Sequence, residues 1–91
     1  MRPRIEFAPG ALDDLRRAVD SLWDFSPVLA KRFATAYDAK ITQLLRFPES
    51  GRRERGTRRS ILVDPSGYRL IYTYSGDLLR IIGLKNTRMG Q

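Results

Sequence analysis

Five arginines, Arg52, Arg53, Arg55, Arg58 and Arg59, crowd one short stretch of this chain, and Arg69, Arg80, Lys85 and Arg88 follow toward the C-terminus. Guanidinium groups stay charged at physiological pH and grip phosphates or carboxylates through paired hydrogen bonds, so the chemistry this set offers is anion binding. Little else is available. Histidine and cysteine are both absent, which excludes Ser-His and Cys-His nucleophilic catalysis and any zinc site built on imidazole or thiolate. The ten acidic residues are scattered, and none has a partner at the spacing of a carboxylate metal site or a glycosidase pair. No glycine-rich phosphate loop occurs. No metal and no cofactor are therefore expected.

The arginine-rich stretch reads either as a solvated, solubilising loop or as a binding patch. Arg69 is the sharper case. It interrupts an apolar strand pattern, and a buried arginine without a partner is too costly to be idle. Either it pairs with a carboxylate, for which Asp64 is a candidate, or it faces a groove and meets an anion there. Tyr68, Tyr72 and Tyr74 are able to stack on bases, but their alternate spacing favours packing on one face of a sheet. Formal net charge is +7, with 7 basic against 6 acidic residues over 1–45 and 10 against 4 over 46–91. A positive half of this kind speeds encounter with polyanions such as nucleic acid, ribosomes or an acidic partner protein.

The elements that must position these groups follow from periodicity. Arg4–Phe7 alternates as a short strand. Leu12, Leu15, Val19, Leu22 and Trp23 recur at helical spacing, with Asp13 and Asp14 in the first turn, where they favour the helix dipole. Ser26-Pro27 stops this helix and starts another, serine as N-cap and proline at the first helical position. The second helix carries Ala30, Phe33, Ala34, Tyr37, Ile41, Leu44 and Leu45 on one stripe and ends at Phe47-Pro48. So short a join predicts an antiparallel helical hairpin, with Trp23, Phe33 and Tyr37 in its core. Residues 49–59 have no apolar side chain and read as a solvated loop. Three strands are predicted after it, at Ser60–Val63, Tyr68–Tyr74 and Leu78–Leu84, with a turn cluster at 64–67 between the first two. The near-continuous apolar run of the last predicts an interior strand covered on both faces. The order β-α-α-β-β-β makes an α+β domain, a helical hairpin packed on a mostly antiparallel sheet.

At 91 residues the chain holds one domain, spanning 1–91. The N-terminus has no apolar run of the kind a signal peptide carries, and no stretch is long enough to span a membrane, so the expected compartment is the cytoplasm, with no membrane partner.

Ser26 to Phe33, Ile41 to Leu45, and Phe47-Pro48-Glu49-Ser50-Gly51-Arg52 together resemble the helix–helix–loop segment of ParE-type toxins. Arg58 to Val63, Gly67 to Tyr72, and Leu79 to Ile82 are similar to the three C-terminal strands of the RelE/ParE superfamily. The ordered set spans essentially the whole chain. The resemblance implies a RelE/ParE-like fold with the first strand beside the last, and the toxin half of a type II toxin–antitoxin pair. Its implied partner is a cognate antitoxin wrapped over its surface in a hetero-oligomer. Two activities occur in the superfamily, and fold does not separate them. RelE-like toxins act on the ribosome and cut mRNA, and Arg69 matches one of their catalytic arginines, with Arg88 in the region of a second. Their strand lysines would fall at Ser60 and Leu62, and their C-terminal tyrosine would lie beyond Gln91. The ParE-like reading, a DNA gyrase inhibitor that performs no cleavage itself, is therefore preferred over the mRNA endonuclease. It needs only the hairpin and a basic surface, for which Arg52, Arg53, Arg55, Arg58, Arg59, Arg80 and Lys85 are the candidates toward target or antitoxin.

Overall fold

Two helices, α1 (Ala11–Phe25) and α2 (Pro27–Arg46), meet at Ser26 in the computed structural model, which describes residues 2–64 and 67–87. Ser26 is extended, at φ −162°, and closes both helices. Its N–H donates to the Leu22 carbonyl oxygen at 2.7 Å, and its Oγ accepts from the Leu29 N–H at 3.2 Å. Pro27 follows where a missing N–H costs no helical bond. Gly10, at φ 88°, turns the chain into α1 from the left-handed region, which a side chain would resist. Phe47 ends α2 by donating its N–H to the Gln43 carbonyl oxygen at 2.7 Å, and Pro48 stops any continuation.

Five strands form one sheet: β1 (Arg4–Phe7), β2 (Arg52–Arg55), β3 (Arg58–Val63), β4 (Tyr68–Ser75) and β5 (Leu78–Asn86), in the order β1-β5-β4-β3-β2. All neighbours are antiparallel except β1 and β5, which run parallel because the helical hairpin carries the chain back over the sheet. The α+β class and the pairing of first strand with last are as the sequence and its resemblance predict. One strand is additional. The stretch expected to be a loop contains β2, and β3 begins at Arg58, two residues before the predicted start. Hydropathy cannot announce such an edge strand: all four β2 residues are exposed, and pairing with β3 is made by the backbone, which every residue carries. Charged side chains there also deter pairing with another chain.

The helices cover one face only. Leu70 and Tyr72 of β4, Ile61 and Val63 of β3, and Leu79 and Ile81 of β5 meet Ala11, Ala18, Phe33, Tyr37 and Leu44 beneath them. The Phe33 ring lies 5.4 Å from that of Tyr68 and 6.3 Å from that of Tyr37, tilted against both. The β4 tyrosines thus pack the sheet to the helices. Two expectations are corrected. Trp23 is half exposed and Leu12 is exposed, because Leu15, Val19 and Leu22 take the inward stripe of α1. The Trp23 ring instead carries the Lys31 ammonium 5.9 Å above it. Likewise β5 is interior but covered by helices on one face, which leaves Leu78 and Ile82 half-buried.

A β-bulge then redirects β5. Tyr72 is opposite Ile81 and Ile71 is opposite Gly83, so Ile82 is an extra residue. Beyond it Leu84 lies opposite Leu70, packed on the core, and Lys85 lies opposite Arg69. β1 pairs with β5 only as far as Ile81, and beyond it Asp14 of α1 meets the strand: its Oδ2 accepts the Leu84 N–H at 3.1 Å. Gly83 is required beside this bond, because a Cβ there would collide with the Asp14 carboxylate.

Candidate functional site

The open face of the sheet collects the arginines. In β3, Ser60 and Leu62 point away from the helices, opposite Ile71 and Arg69 of β4. Arg52 of β2 is opposite Ser60, and the register shifts between Arg53 and Arg55, leaving Glu54 as an extra residue. That second bulge turns Arg52, Glu54 and Arg55 into one groove with Arg58, Arg69, Ile71, Lys85 and Thr87. Its volume is about 710 Å³. The bulge in β5 is what brings Lys85 there, since Arg80 and Lys85 are an odd number of residues apart and would otherwise face opposite ways.

Beneath the groove Ser60, wholly buried, joins two of the lining residues, Arg69 and Glu54. The Arg69 Nε donates to Ser60 Oγ at 3.0 Å, and Arg69 Nη2 donates to the Ser60 carbonyl oxygen at 3.4 Å. The Ser60 hydroxyl in turn donates to Glu54 Oε2 in a very short bond. The same carboxylate oxygen accepts from Arg52, Nε at 3.3 Å and Nη2 at 3.0 Å. These hydrogen bonds from Ser60 first and Arg52 second, with the Arg69 charge nearby, hold the Glu54 carboxyl below the usual carboxylate range. Arg69 makes no ion pair among the described residues. Arg69 thus lines the groove, bonded to Ser60, and Asp64 lines a different cavity with Lys31 and Arg32 of α2.

Position in this groove depends on the join between α2 and β2. The Tyr72 hydroxyl, raised in pKa chiefly by burial, accepts the Gly51 N–H at 2.9 Å and donates to the Pro48 carbonyl oxygen at 2.9 Å. Gly51 has no room for a side chain, as a Cβ would lie 2.7 Å from Tyr72 Cε1 and 2.9 Å from the Ser60 carbonyl oxygen. Arg59 belongs to this support: its Nη1 donates to the Glu49 and Gly51 carbonyl oxygens at 3.2 and 3.1 Å. Arg53 is its register partner on the side of β2 away from the groove. Arg80 pairs with Glu6 across β5 and β1, Nη1 to Oε1 at 2.9 Å. So Arg52, Arg55, Arg58, Arg69 and Lys85 converge, whereas Arg53, Arg59 and Arg80 do not. Arg88 lies outside the described residues.

Glu54, Ile71 and Thr87 line the groove without being among the cations that the sequence singles out. The only sequence signal for Glu54 is its position inside the run Arg52-Arg53-Glu54-Arg55. Among the described residues, no group of histidine, cysteine or acidic side chains could hold a metal ion, and no helix is long and apolar enough to cross a membrane.

Comparison with known proteins agrees with this architecture. The fold is similar to that of a chromosomal ParDE TA system from P. aeruginosa, with a TM-score of 0.76 at 15% identity, over 93% of this chain and 96% of that one. It is also similar to a mutant of E. coli toxin RelE in the free state, with a TM-score of 0.67 at 20% identity, over 99% of this chain and 88% of that one. No curated protein sequence matches the chain. Residues 5–90 match the family described as the ParE toxin of type II toxin–antitoxin systems, parDE. The likenesses carry the fold, and this match, over nearly the whole length, carries the family: the chain belongs to the ParE toxins of type II toxin–antitoxin systems.

Proposed function

We propose that this protein is a cytoplasmic toxin that arrests DNA gyrase on cleaved DNA, and that a co-encoded antitoxin holds it inactive in a hetero-oligomer. Residues 1–91 act as one domain and use no cofactor. The groove of Arg52, Arg55, Arg58, Arg69 and Lys85 is its target-facing surface. The observation that carries this choice over mRNA cleavage is the identity of the two β3 side chains on the open face. RelE-type toxins place lysines at the positions of Ser60 and Leu62. Here one is a buried hydroxyl committed to Glu54 and the other a hydrocarbon. Proton transfer by a positioned side chain contributes roughly 10²- to 10⁴-fold to a rate, and neither residue supplies it. A toxin that only holds a cleaving enzyme needs no such group.

Two assays on the purified chain test this reading. The expected result is accumulation of cleaved DNA in a gyrase reaction, with no codon-phased cuts on ribosome-bound mRNA by primer extension. Phased mRNA cuts beside normal gyrase turnover would replace it with the RelE-like endonuclease, with Arg69 as a catalytic residue.

A further inference from the structure

The groove already contains one anion. Glu54 is the extra residue of the β2 bulge, and its Oε2 accepts a hydroxyl and two guanidinium N–H groups, with a second guanidinium, that of Arg69, directly behind the hydroxyl. That donor set is the one a phosphate oxygen uses. We propose that the Glu54 carboxylate stands where a backbone phosphate of duplex DNA binds, so that the open sheet face is a DNA-backbone site closed by an internal counter-ion.

Charge and lining select the ligand class. Arg55, Arg58 and Lys85 make no ion pair among the described residues, so one carboxylate leaves the groove strongly positive and suited to a polyanion. No aromatic side chain lines it, which removes the platform on which unpaired bases of a single strand stack. Ile71 is the one apolar side chain of the lining, too little to anchor the apolar face of a peptide. What remains is a duplex, whose bases are turned inward and whose phosphates are outward, contacted without regard to sequence. Glu54 sits on a four-residue edge strand, and its pair with the exposed Arg52 is a weak class of contact. An entering phosphate oxygen takes over the Ser60 hydroxyl, so that buried donor keeps an acceptor. Because the phosphate replaces a fixed charge, Glu54 reports on the site without being part of the fold's core.

The inference deepens the reading of this groove as target-facing, and its test contains no gyrase, so a wrong enzyme target and a wrong ligand give different results. Binding of the full chain to a short labelled duplex of arbitrary sequence is followed by fluorescence anisotropy over a salt series. Glu54→Gln should tighten binding about fivefold and steepen the slope of log affinity against log salt by about 0.9, the value for one additional phosphate contact. Arg52→Gln and Arg69→Gln should each weaken binding about tenfold and flatten the slope by about 0.9. Arg16→Gln removes the same charge on α1, which packs on the other face of the sheet, and should change affinity less than about twofold. Glu54→Asp, which keeps the charge but withdraws it from Ser60, should fall between wild type and Glu54→Gln. In the unmodified chain the Arg69 Nε–H resonance should shift on titration with the duplex, a readout independent of any variant's folding. Unchanged or weaker binding by Glu54→Gln, equal losses for Arg16→Gln and Arg69→Gln, an unmoved Arg69 resonance, or tighter binding of single-stranded RNA than of the duplex would each overturn the proposal.

Discussion

Asp14 shows how one side chain joins sequence, fold and groove. In the sequence it is one of two acids at a helix start, where the dipole alone explains it. In the structure its Oδ1 meets Arg17 Nη2 at 2.6 Å while Oδ2 accepts the Leu84 N–H, two residues beyond the β5 bulge. That bulge is what turns Lys85 to the Arg69 side of the sheet. Removing the acceptor leaves a half-buried donor unsatisfied, so Asp14→Ala should cost about 1–3 kcal/mol. Asp13→Ala, whose carboxylate only pairs with exposed Arg16, should stay within about 0.5 kcal/mol. Gly83→Ala drives a methyl group into the Asp14 carboxylate and should also destabilise. Combining it with Asp14→Ala removes that collision, so the two losses should sum to more than the double variant shows. Urea denaturation of the four proteins measures this, and strict additivity would mean that the contact does not hold the bulge.

The helix α2 and the strands beneath it act as one packed layer, and Tyr37 is its ionisable member. Burial first, then the nearby Asp38 and Asp14 carboxylates, push its hydroxyl up to about 12 from an ordinary 10.0. The unfolded chain therefore releases this proton near its ordinary value, while the folded chain keeps it until about 12. Tyr37 contributes its full share of stability below the unfolded value, and loses it progressively as pH rises through the folded one. Tyr72, raised in the same direction by burial, adds to the decline. Urea midpoints measured across this alkaline window should fall with pH, and Tyr37→Phe should make the fall shallower. A variant with the same slope as wild type would show that α2 does not keep the hydroxyl from ionising. The edge strand β2 behaves differently, since its side chains are exposed and its energetic tie is the backbone ladder to β3.

Across the whole molecule the two faces of the sheet have separate tasks. The helical face holds the core, and the open face holds the groove of Arg52, Arg55, Arg58, Arg69 and Lys85. Three of the exposed apolar side chains, Trp23, Phe25 and Val28, lie at the join of the helices. The antitoxin expected to fit both surfaces should be an acidic, amphipathic segment lying over the helices and a sheet edge. Co-expression with the neighbouring gene product should give a complex that rescues growth. Its association rate should fall as salt rises, because attraction to a chain of net charge +7 is screened. Absence of both complex and rescue would remove the assigned partner.

Most of this fold was legible before any coordinates. The stripes of α1 and α2, the Ser26-Pro27 join and the alternation of β4 each follow from spacing, because burial on one side imposes a period that local sequence must carry. The absence of histidine and cysteine likewise excluded Ser-His and Cys-His catalysis. The exposure of Trp23, the strand β2 and the membership of the groove were not legible. Each depends on which surface the tertiary fold leaves uncovered, or on backbone bonds that all residues make alike. Two single-residue bulges, at Glu54 and Ile82, decide which cations face each other, and neither leaves a periodic trace. By itself the sequence determined that this protein is an α+β domain with its basic surplus in the second half of the chain. Only the tertiary structure decided that Arg52, Arg55, Arg58, Arg69 and Lys85 share one site, because a one-residue slip in register exchanges the two faces of a strand.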